Sequence, residues 1–307
     1  MKNKKITLII FIAPAVSTFL LVFIYPIIRT IFMSFFYVKT VTDNFNKWEF
    51  VGLGNYFKLL NSSMFIQSLK NIFNIWIWGG IGVFLIAGLF AVILTGKGIG
   101  HKEKSFFRAA IYLPNVVSAV AMATMWIQYA FNSKFGLFHS FFSFIGLEKA
   151  ASFQWTSPDH QFFSMTIAYS FGMVGYYLLI FMAGIEKIPS DYYEAATLEG
   201  AGMYKKFKYI TMPLLRDVLR TSIVMWSIST VAFFIWSQMF SPLDPDVGTI
   251  TPMVYMYNLV FGRNLTLSDP ALLNSGAGAA VGVLMTILIL TVFGLVNLFI
   301  RQKELEY

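Results

Sequence analysis

Six stretches of this chain run for twenty residues or more without an Asp, Glu, Lys or Arg: 6–28, 72–94, 109–131, 162–185, 221–240 and 276–300. A helix rising 1.5 Å per residue needs about 20 predominantly apolar residues to cross the hydrocarbon of a bilayer. Within that medium the backbone must satisfy its own hydrogen bonds, which leaves helix as the form such runs take. The composition agrees: 57% of residues are hydrophobic and only 12% charged, too few charges to coat a water-facing core of this size. The sequence therefore predicts an all-α membrane protein of six transmembrane helices, with residues 1–307 forming a single transmembrane domain. The first stretch follows Lys2, Lys4 and Lys5 but outruns a signal-peptide core and lacks a clean small-residue cleavage site, so it reads as an uncleaved span.

Charge placement orients the spans. With a cytoplasmic amino terminus, fifteen of the 23 Lys and Arg fall inside: Lys2, Lys4, Lys5, Lys97, Lys102, Lys104, Arg108, Lys187, Lys205, Lys206, Lys208, Arg216, Arg220, Arg301 and Lys303. Acidic residues divide almost evenly, eight inside and seven outside, so the bias lies in the cations, as the positive-inside rule requires. Both termini are expected to be cytoplasmic. The net charge of +8 thus follows from orientation in lipid, and nucleic-acid binding is not expected. The chain has no cysteine, and His101, His139 and His160 all lie between spans, so thiol chemistry is excluded and no metal or catalytic set is expected.

The inside segment 186–220 carries the densest charge, and its order predicts helix, turn, helix. Pro189 and Ser190 suit a helix start, and Asp191 with Glu194 three residues on resembles a capping box. Ala195 and Ala196 leave a shallow surface, while Gly200 and Gly202 supply a helix stop and a reversal. A second amphipathic stretch follows, with Phe207, Ile210 and Leu214 on one face, Lys205, Lys206 and Lys208 facing lipid headgroups, and Pro213 at the start of the next span. A small-surfaced helix held out from a membrane suits docking to another protein, although most such loops are ordinary connectors resting on the bilayer.

A resemblance sharpens this reading. Glu194-Ala195-Ala196, Gly200-Ala201, Phe207, Ile210 and Pro213 resemble, residue by residue, the EAA loop in permease subunits of binding-protein-dependent ABC importers. Glu199, where that family usually has Asp, and Arg216, in place of a frequent proline, depart from the pattern. Phe50-Val51-Gly52-Leu53 with Asn55-Tyr56, and Phe107-Arg108 with Leu113-Pro114, are similar to segments of its sugar branch, of the type of the first permease of maltose and glycerol-phosphate systems. The resemblance implies a type I importer permease in a bacterial cytoplasmic membrane. It implies that Asp191, Glu194, Ala195, Ala196, Gly200, Ala201, Phe207, Ile210 and Pro213 form a coupling helix and its support, seated on a cytoplasmic ATPase dimer. It further implies a second permease subunit, an extracytoplasmic solute-binding protein and a carbohydrate cargo, with ATP and Mg bound by the ATPase and no cofactor on this chain.

The residues agree with a passive partner. The one Gly-Lys pair, Gly96-Lys97, lacks the upstream spacing of a phosphate-binding loop. No span carries an acid, a base or a histidine, which argues against an ion-coupled carrier and against intramembrane hydrolysis. Aromatic faces and neutral hydroxyl or amide groups suit a sugar. Asn115, Trp126, Gln128, Tyr169, Tyr176, Ser227, Ser229, Thr230 and Trp236 are therefore the candidate lining of a path, although each residue type also serves helix packing or the interfacial belt. A phosphorylated polyol is the alternative cargo, with Arg29 and Lys70 as the available cations; an ion-coupled carrier is the alternative class. Pro14, Pro26 and Pro114 are expected to bend their helices.

Overall fold

The computed structural model describes residues 2–96, 98–241, 248–262 and 273–300, with residues 2–9 as backbone alone. Of the charges that orient the spans, Lys97, Arg301, Lys303, Glu304 and Glu306 lie outside the described residues, and the side chains of Lys2, Lys4 and Lys5 are not described. The described chain is mostly helical, with one short hairpin and irregular connections. In chain order its principal elements are α1 (residues 2–33), β1 (Phe36–Tyr37), β2 (Glu49–Phe50), α2 (Gly54–Leu60), α3 (Ser63–Thr95), α4 (His101–Val116), α5 (Ala119–Ala130) and α6 (Leu137–Phe144). There follow α7 (Gln161–Glu186), α8 (Ser190–Leu198), α9 (residues 203–214), α10 (Arg216–Val231), α11 (Ile235–Phe240), α12 (Pro252–Phe261) and α13 (Ser275–Phe299). Among the described residues, four helices are long and apolar enough to cross a membrane, Ile10–Met33 within α1, α3, α7 and α13; α4 with α5 makes a fifth if the bent pair is one crossing.

Two expected spans are interrupted. The stretch 109–131 bends by 99° between α4 and α5. Val117 is extended, and the Ser118 hydroxyl accepts the Ala121 N–H, capping α5 as a new helix. The stretch 221–240 divides at 232–234 into α10 and α11. That break holds neither glycine nor proline; the Thr251 hydroxyl donates to the Phe233 carbonyl at 2.7 Å and satisfies a group the helix has released. The first two spans are longer than expected, reaching Met33 and starting at Ser63. Of the prolines, Pro26 follows directly on a π-helical turn at Leu20–Ile24, the widening expected where a ring and a missing N–H disturb the ladder.

The chain divides into two compact units, residues 1–66 with 252–287 and residues 67–251 with 288–307. The centre of the first is Asn55, 1% exposed. Its amide donates to the carbonyls of Ser34 (2.9 Å) and Phe36 (2.8 Å) and its Oδ1 accepts from Asn274 (3.1 Å), whose own Oδ1 accepts the Ala277 N–H at 3.0 Å and caps α13. The adjacent Tyr56 hydroxyl shares a hydrogen with Ser34 Oγ at 2.7 Å. One side chain thereby ties the end of α1, the β1–β2 hairpin and the start of α13. None of the most apolar stretch of α1 is buried within the chain, which leaves side chains such as Phe11 and Leu21 facing the surroundings.

In the second unit α7 is the axis, with α3, α4, α5, α10 and α11 packed against it. Tyr169 and Tyr177 on α7 meet Trp226 of α10 at ring separations of 5.5 and 6.0 Å, and Phe84 of α3 meets Tyr177 edge-on at 4.9 Å. The α4–α7 crossing is backbone against backbone. A Cβ on Gly175 would overlap the Ile111 carbonyl and lie 2.6 Å from the Tyr112 Cα, so only glycine fits, as at small-residue crossings in membranes generally. Gly172, one turn earlier, has open space where its Cβ would be. Gly175→Ala is expected to destabilise the purified protein by about 1–3 kcal/mol, the usual cost of overpacking. Gly172→Ala is expected to be neutral or slightly stabilising, and thermal unfolding of both variants in detergent measures the contrast.

Candidate functional site

The 186–215 segment leaves and rejoins the core at one point. A Cβ on Gly184, near the end of α7, would fall 2.7 Å from Leu215 and 2.8 Å from Val218, so the two feet of the loop are clamped together. Ile188 and Leu215 are buried beneath it. Pro189 takes the N-cap of α8 and has no side-chain acceptor, so the expected Asp191–Glu194 capping box does not form. Asp191 and Glu194 instead lie within the first two turns, both exposed.

Inside the loop, polar contacts fix α8 to α9. Tyr193 and the buried Thr211 share a hydroxyl hydrogen bond at 3.0 Å; Lys206 Nζ donates to Thr197 Oγ1 at 2.8 Å, and Thr197 Oγ1 donates to the Tyr193 carbonyl at 2.6 Å. The end of α8 is a Schellman closure: the Ala201 N–H reaches the Ala196 carbonyl at 2.8 Å and the Gly200 N–H the Thr197 carbonyl at 3.0 Å. Gly200 sits at φ +72°, the left-handed region that closure requires. The turn Phe207–Thr211 is π-helical ahead of Pro213, as at Pro26, and Phe207, Ile210 and Pro213 are half-buried.

What the loop presents outward is apolar. Leu198 is 90% exposed, and Met203 and Tyr204 are each 73% exposed, flanking the Gly200 turn with Ala195, Glu194 and Glu199 alongside. The tip therefore carries three large exposed apolar side chains beside the carboxylates of Glu194 and Glu199. Leu198, Met203 and Tyr204 lie outside the motif residues of the loop. Leu198 stands between Thr197 and Glu199 while Met203 and Tyr204 precede Lys205, and the turn at Gly200 separates them in sequence.

The candidate path residues separate by burial. Tyr169, Ser227, Thr230 and Trp236 are buried in the second unit's core. Ser227 Oγ accepts from Trp76 Nε1 at 2.8 Å and donates to the Ile223 carbonyl at 2.7 Å; Thr230 Oγ1 donates to the Trp226 carbonyl at 2.7 Å; Tyr169 and Trp236 meet at 5.8 Å. Trp126 is half-buried against Phe131 and Phe171, and Asn115 donates to the Gly172 carbonyl at 3.1 Å. Gln128 is exposed, Ser229 and Tyr176 are half-buried, and the Tyr176 hydroxyl contacts Met225 Sδ at 3.3 Å. Of the two cations considered for an anionic cargo, Arg29 donates to the Val41 carbonyl at 3.3 Å, and Lys70 is exposed.

Residues 89–304 match the family described as binding-protein-dependent transport system inner membrane component, which is more than half of the chain. The chain belongs to that family. Among curated relatives, the diacetylchitobiose uptake system permease protein of Streptomyces coelicolor is 26% identical over 83% of this chain and 71% of its own length. The trehalose/maltose transport system permease protein of Thermococcus litoralis is 29% identical over 79% and 77%. The arabinooligosaccharides transport system permease protein of Bacillus subtilis is 29% identical over 79% and 74%. A chain in the crystal structure of a bacterial ABC transporter that imports the acidic polysaccharide alginate shares the fold, with a TM-score of 0.79 over 97% of this chain and 96% of that one at 19% identity. The loop and all nine candidate path residues fall inside the family match, as does Asn274, whereas Asn55 and its partners Ser34 and Phe36 precede it. Replacing Gly200 tests the loop geometry. Gly200→Val forces a branched side chain into a left-handed conformation at a cost of about 1–2 kcal/mol, so hydrogen exchange of the Ala201 amide is expected to quicken roughly 5- to 30-fold, and Gly200→Asn is expected to change it much less.

Proposed function

We propose that this chain is a transmembrane permease subunit of an ATP-driven oligosaccharide importer, a single transmembrane domain over residues 1–307. The observation that carries the reading is the ordered, outward-facing loop of α8 and α9, standing where the family resemblance expects the ATPase-coupling element. In this reading the apolar tip and Glu194 seat in a separate cytoplasmic ATPase dimer that binds ATP and Mg, and this chain hydrolyses nothing. Closure of the motor pushes on α8. Because the loop's feet are clamped at Gly184 and Leu215, the push reaches α7 and α10 together.

A second permease subunit completes the path and an extracytoplasmic binding protein delivers the cargo, in the cytoplasmic membrane of a bacterium with both termini inside. Three relatives named for di- or oligosaccharide transport support a neutral carbohydrate as cargo. Asn115, Trp126, Gln128, Tyr176 and Ser229 are the path residues still accessible, whereas the buried set maintains the helices that carry them.

The test is co-purification of the tagged chain with its ATPase and measurement of ATP-driven uptake. Glu194→Lys with Gly200→Asp is expected to lower both ATPase retention and uptake at least tenfold, since a reversed charge beside a broken turn opposes seating. Uptake by the purified chain alone, with no ATPase retained by the native loop, contradicts the proposal and makes an ion-coupled carrier the working reading.

A further inference from the structure

An apolar cleft of about 460 Å³ lies within the second unit, between α3, α7, α9 and α10. Leu85 and Leu89 of α3, Leu219 and Ile223 of α10, and Phe207 and Met212 of α9 are among its walls. Its two indoles offer nothing to a polar ligand: Trp76 Nε1 donates to Ser227 Oγ and Trp226 Nε1 to the Trp76 carbonyl, each at 2.8 Å. A sugar or an ion finds no partner there. The volume is about fifteen water-sized groups at ~30 Å³ each, the scale of one hydrocarbon chain. A membrane-spanning helix, about 10 Å across and 30 Å long, is several times too large.

Three cations stand next in sequence to residues of the wall. Arg216 follows Leu215, Arg220 follows Leu219 and Lys208 follows Phe207, each beside a residue of the wall. Among the described residues, neither arginine has a hydrogen-bond or ion-pair partner, and Lys208 lies only over the ring of its neighbour Tyr209, 5.4 Å from the centroid. Arg220 is also the last charge before the uncharged run of α10, the level at which a lipid headgroup sits.

We propose that the cleft binds one acyl chain of an anionic phospholipid, with its phosphate held by Arg216, Arg220 and Lys208. The binding rests on this unit's own geometry. Its consequence rests on the coupling role proposed above: since Phe207 and Met212 belong to α9, a seated lipid braces the loop, and coupling becomes sensitive to anionic lipid.

The full chain in phosphatidylcholine bilayers, doped with a trace of phosphatidylglycerol bearing a photoreactive acyl chain, tests the binding without any transport assay. Adducts are expected in 84–92 and 215–223, favouring phosphatidylglycerol over an equally labelled phosphatidylcholine by about fivefold for each basic side chain engaged. Arg216→Gln with Arg220→Gln is expected to remove that preference, and Gly88→Leu, which fills the cleft, to lower the adducts. Labelling of exposed Leu290 on α13 should remain unchanged in both variants. Equal labelling of the cleft and Leu290 with no headgroup preference, or a cleft that labels only a co-purified protein, overturns the proposal. Loss of uptake in the double arginine variant with labelling intact overturns it as well, because the arginines then act on the motor and not on lipid.

Discussion

An unpaired backbone group in hydrocarbon costs several kcal/mol, and this chain breaks two of its expected spans, at 117–118 and 232–234, and turns its backbone beyond the ends of others. Each interruption comes with a side chain or turn that takes up the released groups. Ser118 caps α5, Thr251 takes the Phe233 carbonyl between α10 and α11, and Asn55 with Asn274 holds three backbone segments where α1 ends and α13 begins. At the end of α8 the backbone does this alone, through the Schellman closure that Gly200 permits. Those local solutions let helices bend or stop without unfolding, and they decide where a rigid core can extend an ordered loop.

The loop inherits its rigidity from that core. Gly175 brings α4 onto α7, the aromatic cluster around Trp226 brings α10 onto α7 and α3, and Gly184 brings the foot of α10 against the end of α7. A force on α8 therefore acts on two core helices, and the hydroxyl and ammonium contacts among Tyr193, Thr197, Lys206 and Thr211 keep α8 from moving independently of α9.

Membrane class and the helix–turn–helix of the loop were legible in the sequence because they are local. Uncharged runs report solvent, and the spacing of Glu194, Ala195, Ala196 and Gly200 reports one short helix and its stop. The break at 232–234 was not legible, since its stabilising hydroxyl sits on Thr251, 18 residues further along the chain. The role of Asn55-Tyr56 was hidden for the same reason: the motif was visible, but its partner Asn274 is 219 residues away. Pro189 also misled the capping assignment, because a helix starting at Ser190 makes Asp191 an interior residue. Among the path candidates, periodicity could not tell a Ser or Thr that bonds its own helix, as Ser227 and Thr230 do, from one that lines a passage.

The chain's lack of cysteine allows a direct test of the exposed tip as the seat of an ATPase. A single Leu198→Cys, placed at the side chain that is 90% exposed and labelled through its thiol with a photoreactive crosslinker, should join to the co-purified ATPase on illumination, while Leu290→Cys, 62% exposed on α13 and labelled in the same way, should not. Equal crosslinking at both positions, or none at Leu198 in a complex that still hydrolyses ATP and imports sugar, would contradict the account.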